Sequence, residues 1–153
     1  MLAAIVTVFT MYTLSLAMNH SQGGTMTSSA GAAARPGDNI LNATVDGHQF
    51  AYHLIDMHQH MAKTTNPSHM QGMQAKHHLM VYVSKPDGTL LDKAKVGYLV
   101  VGPDGVKQTQ MGMEMQGGFG ADLHLEAKGT YSVTTKAVAD GKTLMHQFTY
   151  EMQ

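Results

Sequence analysis

A chain of 153 residues is one domain's worth, and its formal net charge of −1 argues against a polyanion or an anionic membrane surface as an electrostatic partner, so nucleic acid is not expected. There is no cysteine, which excludes disulfides, a lipid-modified amino-terminal cysteine and the cysteine-containing zinc motifs. Ten histidines and 14 methionines are present instead.

The first 17 residues, MLAAIVTVFTMYTLSLA, carry no charged side chain and end in Ser15-Leu16-Ala17, the small-x-small pattern of a signal-peptidase site. They are expected to be a signal peptide cleaved after Ala17, or, because the n-region carries no Lys or Arg, an uncleaved anchor through residues 2–18. Either way the address is periplasmic or secreted. Residues 18–37 are small, polar and without periodicity, so they read as a flexible tether.

From residue 38 to 153 the sequence is a run of short alternating segments with turn chemistry between them. Strands are expected at 40–45, 48–56, 77–84, 94–101, 106–115, 119–126, 130–138 and 143–151. Asp46-Gly47, Lys85-Pro86-Asp87-Gly88, Gly102-Pro103-Asp104-Gly105 and Asp140-Gly141 serve as turns. No helical period is evident. The expectation is an all-β fold, an immunoglobulin-like antiparallel sandwich of seven or eight strands.

Between the second and third strands the alternation stops. Met57 to Met80, MHQHMAKTTNPSHMQGMQAKHHLM, holds five histidines and five methionines, and its part at 57–76 lacks the Leu, Ile, Val and Phe of a buried element. With Asn66-Pro67-Ser68 inside it, this part reads as a loop. Thioether sulfur is a soft donor suited to Cu(I), and imidazole suits copper, zinc and nickel, so the mixed set points to copper. The candidate ligands are Met57, His58, His60, Met61, His69, Met70, Met73, His77, His78 and Met80. His58 with His60, and His78 with Met80, would face one side of an extended backbone.

A second candidate is Met111-Gly112-Met113-Glu114-Met115, in which Met111, Met113 and Met115 share a face if the stretch is one strand. Three thioethers can take Cu(I) or Ag(I). His124 and Met145 are expected on outward faces, opposite Ser132 and Lys136, about 13 Å apart at ~3.3 Å per residue, too far to share an ion. His53 and His146 sit among apolar neighbours and read as hydrogen-bonded core histidines.

The strand ends at Val100-Val101-Gly102-Pro103-Asp104-Gly105 and Gly129-Thr130-Tyr131-Ser132-Val133 resemble the YtkA-like and FixH-like group of bacterial envelope proteins, over roughly residues 76–152. That resemblance implies copper handling and oxidase assembly. His60-Met61, Met70 or Met73, and His78-Leu79-Met80 are also similar in kind and order to the motifs of periplasmic copper chaperones, although only four residues separate Met73 from His78 where those proteins have a long stretch.

The functional expectation is an exported Cu(I) carrier or buffer, with Ag(I), Zn(II) or Ni(II) as other ions. Its partners would be the metal ion and a membrane-bound copper transporter or oxidase assembly factor. An envelope interaction module assisting a membrane complex, or a Zn/Ni-binding protein, is the alternative. No nucleophile elbow, phosphate loop or H-E-x-x-H helix is present, so an enzyme is not expected.

Overall fold

Three hairpins depend on paired left-handed residues: Asp46 (φ 47°) with Gly47 (φ 78°), Gln116 (φ 50°) with Gly117 (φ 75°), and Asp140 (φ 50°) with Gly141 (φ 73°). Two consecutive positive φ values define the tight turn whose twist matches that of the strands it joins. In the computed structural model, which describes residues 34–64 and 77–153, these turns connect β1 (Asp38–Val45) to β2 (His48–Asp56), β6 (Met113–Met115) to β7 (Gly118–Leu123), and β8 (Gly129–Ala139) to β9 (Lys142–Met152). The other described strands are β3 (His77–Ser84), β4 (Lys95–Val101) and β5 (Lys107–Met111). Among the described residues one helix, α1, spans Met57–Thr64.

All pairings are antiparallel, in two sheets ordered β1-β2-β3-β7-β6 and β5-β4-β8-β9. The fold is thus an all-β, immunoglobulin-like sandwich, with nine strands among the described residues. Its core comes from alternate residues of the two inner faces: Phe50, Tyr52, Leu54, Leu79, Val81, Val83, Phe119, Ala121 and Leu123 from the five-stranded sheet, and Val96, Tyr98, Val100, Tyr131, Val133 and Leu144 from the other. Tyr98 crosses this core, its hydroxyl donating to the Phe119 carbonyl at 2.6 Å. Burial pushes the Tyr98 pKa up, so the group remains a donor that ties the sheets together.

The strand expected at 106–115 is in fact two. The chain breaks at Gly112 and passes from β5 in one sheet to β6 in the other. A Cβ at residue 112 would lie 3.2–3.4 Å from Tyr98, Phe119 and Val96, so the crossing runs against the end of the core where glycine fits most easily. β7 likewise pairs with β3 and β6 and not with β8, so His124 does not stand opposite Ser132. Met145 does pair with Lys136.

The outer face of the five-stranded sheet carries a second, smaller cluster of Ile55, Met80 and Tyr82, with Ala51, Met57 and Met115 packed against it. This cluster positions the candidate site.

Candidate metal centre

α1 begins where Asp56 ends β2. The Asp56 carboxylate accepts the His58 and Gln59 backbone N–H groups at 2.9 and 3.1 Å, and the Gln59 amide donates to its other oxygen at 3.1 Å. This is an N-cap, and it turns the first eight residues of the His/Met segment into a helix where an extended loop was expected. Burial pushes the Asp56 pKa up, but the three hydrogen bonds and nearby His77 outweigh it and hold the carboxyl below its ordinary range.

On a helix, positions two apart point away from each other and positions three apart share a face. His58 and His60 therefore do not form a pair. Met57 and His60 instead both line a cleft of about 340 Å³ with His78, Met80, Met113, Met115 and Asp122.

The floor of that cleft is set by strand register. His78 on β3 is the direct partner of Asp122 on β7, and Met80 is the partner of Gly120, which in turn pairs with Met113 on β6; Met115 pairs with Gly118. Two of the three outward positions of β7 are thus glycines. A Cβ at Gly120 would collide with His78 Nε2 and Met80 Sδ, each closer than 3.0 Å to where it would sit. The imidazole nitrogen and the thioether sulfur therefore converge on the notch that Gly120 leaves open.

His78 is buried, and its Nδ1 lies 2.7 Å from Asp122 Oδ1. An ionised carboxylate can only accept, so Nδ1 carries the proton, and in the neutral form of the ring Nε2 presents a lone pair. That Nε2 is buried and has no hydrogen-bond partner. A carboxylate fixing one ring nitrogen while the other is left as a donor atom is the arrangement that orients metal-ligating histidines. Among the described residues no three His, Cys, Asp or Glu side chains are grouped as metal ligands, so the donors gathered here are imidazole and thioether.

The remaining candidates are dispersed. Met111 is exposed on the other sheet with its Sδ against Gly97, so the three-thioether face Met111–Met113–Met115 does not form. Met113 is 62 % exposed at the cleft mouth, while Met115 is half-buried. His58 is exposed and Met61 half-buried on α1, and neither lines the cleft. His77 stands opposite Asp56, on the face of β3 away from His78. His69, Met70 and Met73 lie outside the described residues, as do residues 1–33 with the expected signal and most of the tether.

His53 Nε2 is 3.2 Å from Asn39 Nδ2, and His146 Nδ1 is 3.1 Å from the Tyr52 hydroxyl. Sequence reasoning missed Asp122, Gly120 and α1. The Asp56-x-x-Gln59 spacing was the readable sign of the helix, whereas Asp122 and Gly120 become visible only through strand pairing.

No protein-family model and no curated protein matches the chain. Among solved structures it is similar to a copper-bound variant of FetP from uropathogenic Escherichia coli, with a TM-score of 0.55 and 15 % identity over 73 % of this chain and 93 % of that one. It is also similar to FetP as isolated after expression in the Escherichia coli periplasm, with a TM-score of 0.50 and 17 % identity over 76 % and 92 %. A third is a copper-bound variant of the Campylobacter jejuni protein P19, with a TM-score of 0.51 and 13 % identity over 77 % and 96 %. At these identities the shared property is the fold, and the likeness is to FetP and P19 where the sequence pointed to the YtkA-like and FixH-like group.

Proposed function

We propose that the chain is an exported, non-enzymatic Cu(I) carrier or buffer that binds its cargo in the cleft between α1 and the outer face of β3, β7 and β6. The observation carrying this reading is the buried, unpartnered Nε2 of His78, held by Asp122 and converging with Met80 Sδ. His78 and Met80 would be the inner donors. Met57, His60, Met113 and Met115 line the same cleft and offer thioether and imidazole groups at its walls and mouth.

Soft thioethers favour Cu(I), and Ag(I) as its analogue, over ions that need carboxylate or several imidazoles. A site without thiolate suits a carrier, because neutral donors release an ion more readily than charged sulfur. The exposed Met113 would give an incoming acceptor, such as a membrane-bound copper transporter or oxidase assembly factor, a first point of exchange. The copper-bound states of the FetP and P19 structures, together with the apolar amino-terminal segment, support copper handling outside the cytoplasm.

The test is a titration of the full chain with Cu(I) and with Zn(II), following methionine methyl and histidine ring signals by NMR. Cu(I) should shift the Met80, Met113 and Met115 methyls and the His78 ring at one equivalent. Zinc-only binding, or no binding, would overturn the reading.

A further inference from the structure

Part of the cleft wall comes from a segment that precedes the first strand. Pro36 lines the cleft beside His78, Met80, Met113 and Met115. On one side of Pro36, Gly37 takes φ +78° and lies so close to β2 that a Cβ would fall 2.6 Å from Ile55 Cγ1 and from the Leu54 carbonyl oxygen. Only glycine lets the backbone lie that flat in that conformation. On the other side, the Arg35 guanidinium carbon sits 4.3 Å from the centroid of the Tyr82 ring, on β3. Arg35 is the only arginine of the chain. Tyr82 is buried in the same outer cluster as Met80 and Ile55.

The segment 34–37 is therefore fastened at two points, to β2 by close packing and to β3 by a cation over an aromatic face, with Pro36 between them. We infer that Arg35 is a positioning residue for the cleft: by stacking on Tyr82 it holds Pro36 as the wall that shields Met80 and slows escape of a bound soft ion. The release part of this inference rests on the Cu(I) reading above; the shielding part does not. A guanidinium stacks on a ring and remains charged at any physiological pH, and an ammonium at the same place keeps the charge and part of the attraction. Removing both frees the segment on the Arg35 side.

Two measurements on the full chain separate the parts. In the first, the metal-free protein and its Arg35→Ala and Arg35→Lys variants are exposed to dilute hydrogen peroxide, and sulfoxide formation is followed at each methionine by peptide mass spectrometry. Met80 is 1 % exposed and Met113 62 %, so Met113 serves as the internal control. Arg35→Ala should speed oxidation of Met80 about fivefold, in line with the size of one such contact, while Arg35→Lys stays within about twofold of the parent and Met113 is unchanged in all three. An unchanged Met80 rate in Arg35→Ala, or an equal rise at Met113 showing general loosening, would overturn the inference.

In the second, Cu(I) release to a chromophoric Cu(I) chelator is timed. It should quicken about fivefold in Arg35→Ala and be restored in Arg35→Lys. Equal release rates with intact Cu(I) binding would defeat the role of Arg35 in retention and leave the metal site standing. A parent protein that takes up no Cu(I) would defeat the metal reading and with it the retention role, while the peroxide result would still decide whether Arg35 shields Met80.

Discussion

His78 Nδ1 and Asp122 Oδ1 are 2.7 Å apart, and the two residues are register partners on adjacent strands. The sheet itself sets their separation, so the fold alone aims the ring. Asp122 is 60 % exposed and contributes little to packing. Asp122→Ala should therefore cost no more than the roughly 1–3 kcal/mol of leaving the buried His78 Nδ1–H without its acceptor, yet weaken Cu(I) binding by about 10–100-fold. A competition titration against a chromophoric chelator measures this, and Asp122→Asn, which keeps an acceptor oxygen, should lose less.

Gly120 is the position where a single methyl group matters most. Gly120→Ala places a carbon on His78 Nε2 and Met80 Sδ together, and overpacking of this kind costs about 1–3 kcal/mol. Urea unfolding should show that loss, and Cu(I) affinity should fall because both inner donors must turn away.

Met80→Leu separates packing from ligation. The exchange nearly conserves volume and should cost less than about 1.5 kcal/mol in a melt. Among the described residues Met80 is the only buried thioether of the cleft, so Cu(I) and Ag(I) affinities should fall by at least about tenfold, or 1.4 kcal/mol, while Met113→Leu at the exposed mouth should lower affinity less.

The cap of α1 gives the pH dependence. The Asp56 carboxyl is held below its ordinary value of 3.8 in the folded chain, so its contribution is complete above that value and is lost as pH falls through the folded one. Asp56→Ala should cost about 1 kcal/mol at neutral pH, the usual worth of an N-cap. It should also flatten the acid limb of the stability curve below about pH 4. Circular dichroism melts between pH 2 and 7 check both.

The β1–β2 and β8–β9 hairpins were readable because each declares itself twice, by alternation and by an Asp-Gly turn, Asp46-Gly47 and Asp140-Gly141. The break at Gly112 was not, since Gln110-Met111-Gly112-Met113 continues the alternation and the reason for the break is three side chains distant in sequence: Tyr98, Phe119 and Val96. The partner of β7 was also hidden, because alternation states which residues face inward and says nothing of which strand lies alongside. His78 and Met80 were legible as candidate donors by residue type. Their convergence depends on the absence of a side chain at Gly120, and composition does not register an absence. The helix at Met57–Thr64 was overlooked because its polar residues promise no buried stripe; its amino end is secured by Asp56 and its contact with the fold by Met57.

The crossing at Gly112 has a further result for how the site comes into being. It delivers β6, with Met113 and Met115, to the edge of the sheet that holds β3, while His78 and Asp122 are 44 positions apart along the chain. Contacts this distant form only when the chain has closed large loops. A peptide cut from residues 57–80 would keep the histidine and methionine count and still lack Asp122, the Gly120 notch and both β6 thioethers. The composition is local, but the oriented donor set belongs to the finished sandwich. An ion that binds this set in preference to the unfolded chain would favour the native state by mass action, so saturation with such cargo would double as an assay for completed folding.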